Sequence, residues 1–178
     1  MRRTASAPAR TRFGVGLVGI FVALALVAPP AAARSDHIED PRETEQRLDI
    51  HYAEISVDRT DGARVGAFRI ATYRRWRIKD VVDPMLRGSI FVVDFDSRRT
   101  EGADYTVSVR GAGRTITCEL HRHGKGRVLS SVEGTKGPRT VTCSLEWKRI
   151  RATRAVRWKV YSFTWPGDRA PDHGFSTI

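Results

Sequence analysis

YTVSVRGAGRTITCEL, residues 105–120, decides the fold class. Tyr105, Val107 and Val109 alternate with Thr106, Ser108 and Arg110, and Ile116, Cys118 and Leu120 alternate with Thr117 and Glu119. Period two is the spacing of a half-buried β-strand. GAGR between the runs supplies a tight turn, so the stretch reads as an antiparallel hairpin.

The same alternation extends in both directions. Upstream, Leu48-Ile50-Tyr52 passes into Ile55-Val57, and a turn around Asp61-Gly62 leads to Val65 through Ile70. Ile90 to Phe95 is apolar except at Asp94, as expected of a central strand covered on both faces. Downstream come Val128–Val132, Val141-Cys143-Leu145-Trp147 and Val156-Trp158-Val160, joined by HRHGKG and EGTKGP. Connections this short join antiparallel neighbours. Residues 73–87 break the alternation before Pro84 and leave room for a helical turn or two. The prediction is an all-β chain, an antiparallel β-sandwich of about eight strands over residues 48–178.

Residues 1–33 have a different character. Arg2, Arg3, Arg10 and Arg12 precede the apolar run GVGLVGIFVALALVA, and Pro29-Pro30 leads to Ala31-Ala32-Ala33. This is the pattern of a secretory signal peptide cleaved after Ala33, with an uncleaved anchor as the alternative. The expected location is therefore secreted, with no membrane span after cleavage. Residues 34–47 are polar and acidic and read as a flexible N-terminal segment.

The formal charge of the 178 residues is +11, from 31 Lys and Arg against 20 Asp and Glu. Four of those cations lie in residues 1–33, which contain no acid, so 27 − 20 leaves +7. In the sequence these charges are scattered, unlike the basic stripe with aromatic platforms of a nucleic-acid binder. A solvated face or loose attraction to anionic wall polymers fits better. Cys118 and Cys143 are the only two cysteines, and in an exported chain they read as one disulfide.

Three groups of residues carry candidate chemistry. In FVVDFDSRRTEGADY, residues 91–105, Asp94, Asp96 and Asp104 could converge on calcium, which takes six to eight oxygens. The stretch is no EF-hand loop, and Arg98 and Arg99 oppose a cation; the alternative is that Asp94 and Asp96 cap the turn and pair with those arginines. Glu119, His121 and His123 share one strand face and could hold zinc or copper. Trp76, Trp147 and Trp165, each beside Arg, Lys or Pro, are candidates for exposed rings that stack on a sugar, whereas Trp158 alternates with valines and reads as core.

Read in order, LDI (48–50), FRIATYRRW (68–76), DFDSRRTEGADYTVSV (94–109), VTCSLEW (141–147), VRWKVYSF (156–163) and DRAPDHG (168–174) resemble a group of exported, uncharacterised actinobacterial β-sandwich proteins. The acid-x-acid, polar turn, Gly-Ala-Asp-Tyr portion is also similar to a strand pair in DOMON-like and family 9 carbohydrate-binding-module-like sandwiches. The resemblance implies an extracellular β-sandwich of a kind that binds sugars or haem. It transfers no particular ligand.

No G-x-S-x-G, H-E-x-x-H or phosphate loop is present, so no catalytic constellation is signalled. The expectation is a non-catalytic exported domain that binds an extracellular ligand, a glycan or cell-wall polymer, without a cofactor other than calcium. The alternative is a structural or protein-interaction domain with no small ligand.

Overall fold

The computed structural model describes residues 34–42, 46–60, 62–81, 88–98, 102–151, 155–163 and 167–178. The signal-peptide reading of residues 1–33 and the Trp165 reading lie outside them. Eleven strands run in chain order: β1 (Arg34–Glu39), β2 (Ile50–Thr60), β3 (Ala63–Thr72), β4 (Ser89–Asp96), β5 (Tyr105–Ala112), β6 (Thr115–Arg122), β7 (Val128–Lys136), β8 (Thr140–Glu146), β9 (Arg157–Ser162), β10 (Arg169–Ala170) and β11 (Ser176–Thr177). A four-residue helix, α1 (Ile78–Val81), follows β3, in the one region where the alternation fails.

All pairings are antiparallel, in the order β1-β2-β3-β8-β7-β6-β5-β4-β9-β10, with β11 beside β10 on the outer edge of β9. The all-β antiparallel class is as expected, but the strand count exceeds eight. The sheet is also continuous and curls into a nearly closed, barrel-like form. β7 makes the continuity: Val128–Gly134 pair with β6, and Thr135 and Lys136 then pair with β8. Two of the extra strands, β10 and β11, are two residues long, too short to show a period.

The third extra strand is a correction. Residues 34–39, expected to be flexible, pair along β2 from Arg34↔Val57 to Glu39↔Tyr52. An edge strand is held by its backbone, and Ile38, buried opposite Ala53, is the single apolar anchor of β1. One such residue leaves no periodicity to read.

Inside the curl lies one core, with Ile55, Phe68, Phe91, Val93, Phe95, Val107, Leu120 and Trp158 all nearly or fully buried. Each such side chain contributes roughly 1.5–3 kcal/mol of transfer free energy. The Cys118–Cys143 disulfide links β6 to β8 across β7, with Cα atoms 6.3 Å apart. Gly134 of β7 lies beneath it, and a Cβ there would stand 2.9 Å from one sulfur and 3.1 Å from the other. The disulfide therefore spans the strand at which the sheet passes from one half to the other.

Candidate functional site

Four neighbouring strands, β9, β4, β5 and β6, turn their non-core faces to one side. Alternation places every second residue there, and the registers align them in rows. One row is Lys159, Asp94, Thr106 and His121; the next is Tyr161, Val92, Ser108 and Glu119. A cleft of about 1060 Å³ lies over these rows, bounded by the β6–β7 turn (Arg122–Gly126) and by Phe163, Gly167, Asp168 and Arg169.

Two polar groups organise its floor. Thr106 donates its hydroxyl to Asp94 Oδ1 at 2.8 Å and meets His123 Nδ1 at 2.9 Å, and His123 Nδ1 is 3.7 Å from the same carboxylate oxygen. His123 is brought there by the β6–β7 turn, whose His123 N–H donates to the Asp104 carbonyl at 2.9 Å. In the second group, Glu119 Oε2 lies 3.2 Å from Arg110 Nε and 3.4 Å from His121 Nε2. Both nitrogens are buried and form no well-directed hydrogen bond among the described residues.

Among the described residues Arg110, Arg122, Lys125 and Arg169 line the cleft against Asp94 and Asp168, with Glu119 paired to Arg110 on its floor, a formal balance of 4 − 3 = +1 with histidines neutral. At one end Asp168 accepts from the backbone N–H of Ile50 at 2.5 Å and of Arg169 at 2.8 Å. Burial raises its carboxyl above the usual carboxylate range; those two hydrogen bonds oppose the shift, and the nearby Asp49 and Asp172 add to it.

The three carboxylates read as a calcium candidate do not converge. Asp94 serves Thr106 and His123. Asp96 is fully buried, accepts from Arg98 N–H at 3.2 Å and pairs with the Arg157 guanidinium. Asp104 accepts from Ser97 N–H, Ser97 hydroxyl and Arg98 N–H, each at 3.0 Å. Asp96 and Asp104 thus brace the turn. The arginine on Asp96 is the cross-strand Arg157, while Arg98 Nε lies 3.7 Å from Asp104. Arg99 lies outside the described residues. Glu119, His121 and His123 likewise divide into two groups, one on Glu119 and one on Asp94. Among the described residues no three His, Cys, Asp or Glu are grouped as a metal ion would need.

The tryptophan reading is corrected. Trp76 is 3% and Trp147 6% exposed, so neither offers a face to a ligand. Trp147 begins a single 3-10 turn (Trp147–Ile150) that folds its ring onto Gly66 of β3, where a Cβ would stand 2.4 Å from the ring, and edge-on to Phe95 at 6.0 Å. Trp76 meets Phe91 edge-on at 5.9 Å, under the Lys136 ammonium. Trp158 is core, as expected.

Among the described residues, the tyrosine and phenylalanine rings that line the cleft are Tyr161 and Phe163. Their signal was available, since Tyr161 is the outward residue of the Trp158-Val160 alternation. Thr106, Ser108 and Arg110 are likewise the polar complement of Tyr105, Val107 and Val109. Comparison with protein-family models, with curated proteins and with solved structures gives no match.

Proposed function

We propose that this chain is an exported, non-catalytic β-sheet protein whose outer cleft over β4, β5, β6 and β9 binds a polyhydroxylated extracellular ligand, a glycan or cell-wall saccharide. The supporting observation is the cleft's composition: hydroxyl, carboxylate, imidazole and guanidinium groups on the floor, with Tyr161 and Phe163 at one side. A pyranose presents apolar C–H groups to an aromatic ring and hydroxyls to polar neighbours, and such sites combine a few fixed polar groups with apolar walls. The small positive balance of the cleft, with Arg122, Lys125 and Arg169 at its rim, favours saccharides bearing carboxylate or sulfate. The resemblance of the DFDSRRTEGADY strand pair to sugar- and haem-binding sandwiches includes this ligand class without selecting it, and the disulfide and the N-terminal apolar run fit an exported protein.

The test is titration of the purified, oxidised protein with soluble cell-wall saccharides and a panel of neutral and acidic glycans. Tyr161→Ala and Asp94→Asn are each expected to weaken the ligand found at least tenfold with little change in unfolding midpoint. A ligand bound equally well by both variants would remove the cleft from the reading.

A further inference from the structure

The cations that look scattered in the sequence converge in space. Arg47, Arg74, Arg75, Arg77 and Lys136 line a cavity of about 680 Å³ over the edge of Trp76, with Asp80 as the one carboxylate among its described lining residues. Asp80 is shared by Arg47 Nη1 at 3.1 Å and Arg77 Nε at 2.7 Å, and the cations of the described lining outnumber this carboxylate. A second cavity of about 560 Å³ shares Arg77 and Lys136 and adds Lys79 and Arg114, with no further acid among the described residues. The two form one continuous basic surface at the end of the sheet that carries the β3–α1, β5–β6 and β7–β8 connections. It is separate from the cleft, with which it shares no lining residue.

Two details show an unmet demand for anionic oxygen. Lys136 is held 4.1 Å above the Trp76 ring and donates to the Gly137 carbonyl at 2.7 Å, yet it has no ion pair with a described carboxylate. Burial lowers its pKa, the direction expected of a cation without a counter-charge. The buried indole N–H of Trp76, which lines the same cavity, meets no acceptor among the described residues.

We infer that this basic end binds a linear polyol-phosphate polymer, with Arg75, Arg77, Lys79 and Arg114 among the cations that take successive phosphodiesters and Lys136 and Trp76 lying beneath. Guanidinium forks match phosphate oxygens two at a time, and this surface is mostly arginine. Two adjoining cavities suit a repeating anion better than a single one. A single-stranded nucleic acid has the same charge, but its bases need aromatic platforms, and Trp76, the one aromatic ring among the described lining residues, is buried. The inference stands apart from the cleft reading.

The experiment measures binding of a glycerol-phosphate polymer to the purified, oxidised protein from about 50 to 200 mM salt, the range in which phosphate contacts weaken steeply. Arg75, Lys79 and Arg114 are exposed, so R75Q/K79Q/R114Q removes charge without touching the core. R59Q/R64Q/R127Q removes three exposed charges elsewhere and serves as the control. The basic-end variant is expected to bind at least tenfold more weakly. Its log–log salt slope should be shallower by about 2, at roughly 0.7 per lost phosphate contact. The control should bind like the parent. Equal loss in both variants would reduce the effect to net charge and overturn the site. Absence of binding by the parent, or tighter binding of single-stranded DNA than of the glycerol-phosphate polymer, would also overturn it.

Discussion

Trp158 of β9 donates its indole N–H to the Asp36 carboxylate of β1 at 2.6 Å, and Ser176 of β11 donates its hydroxyl to the same oxygen. These strands lie at opposite ends of the strand order, so one carboxylate holds the two edges of the curled sheet together. Asp168, before β10, does the same for β2 by accepting from Ile50 N–H. The seam is closed by acids taking hydrogen bonds across it. Replacing Asp36 by Ala leaves the buried Trp158 N–H without an acceptor, and a loss of about 1–3 kcal/mol is expected. Asp36→Asn keeps an acceptor and should cost less. Urea midpoints measure both, and an unchanged midpoint in Asp36→Ala would show that this contact does not hold the seam.

The second seam carboxylate sets a pH dependence. Asp168 is raised above the usual carboxylate value of about 3.9, chiefly by burial, so the folded chain holds its proton more tightly than the unfolded chain does. Its contribution is therefore full below that ordinary value and is lost as pH rises through the elevated folded value. Asp168→Asn removes the ionisation and leaves its amide oxygen to accept from Ile50 or Arg169. The variant should be less stable than the parent near pH 3.5 and should gain on it steadily as pH rises. Unfolding midpoints across that range measure the difference, and parallel curves would mean that Asp168 does not titrate abnormally.

Gly134 and the disulfide form one packing unit. Closing a loop of sequence separation 25 stabilises by about 3–4 kcal/mol in the chain-entropy model, and reduction should lower stability by that amount. A methyl at Gly134 would stand 2.8 Å from Ile116 Cγ2 as well as against both sulfurs, so Gly134→Ala should cost about 1–3 kcal/mol. Much of that cost comes from the sulfurs, so it should shrink when Gly134→Ala is made together with Cys118→Ala and Cys143→Ala. Additive costs in this cycle would show that the glycine is needed for another reason.

What was legible in the sequence follows from what is local. The alternation of Tyr105-Val107-Val109 and of Ile116-Cys118-Leu120 is a property of adjacent residues, and so the strands, their order in the β5–β6 hairpin and the inward-facing cysteines could be read directly. The burial of Trp147 depends on the missing side chain of Gly66, and that of Trp76 on Phe91 and Lys136. No window around either tryptophan contains those partners, and their charged neighbours suggested a surface. The basic end is of the same kind: Arg47, Arg77, Arg114 and Lys136 are distant in sequence and meet because three connections lie at one end of the sheet. At the cleft, the polar residues Glu119, His121, His123 and Asp94 were recognised, but they were grouped by strand. Glu119 and His121 do stay together on β6, whereas His123 leaves them and joins Asp94 across strands, through Thr106.

That threonine carries a prediction which needs no ligand. A hydroxyl has one proton, and Thr106 gives it to Asp94, so its contact with His123 Nδ1 must be one in which the ring donates. Neutral His123 is thereby held as the Nδ1–H tautomer, with Nε2 left as an acceptor for a hydroxyl in the cleft. Imidazole 15N chemical shifts report the tautomer. The parent and Thr106→Ser should show the Nδ1–H form, while Thr106→Val, which removes the bridge to Asp94, should shift His123 towards the Nε2–H form common in solvent-exposed imidazoles. Thr106→Val should also weaken a saccharide bound through that nitrogen about tenfold, the effect of one lost hydrogen bond at the upper end of its usual range. An unchanged tautomer in Thr106→Val would mean that Asp94, 3.7 Å from Nδ1, orients the ring without the threonine.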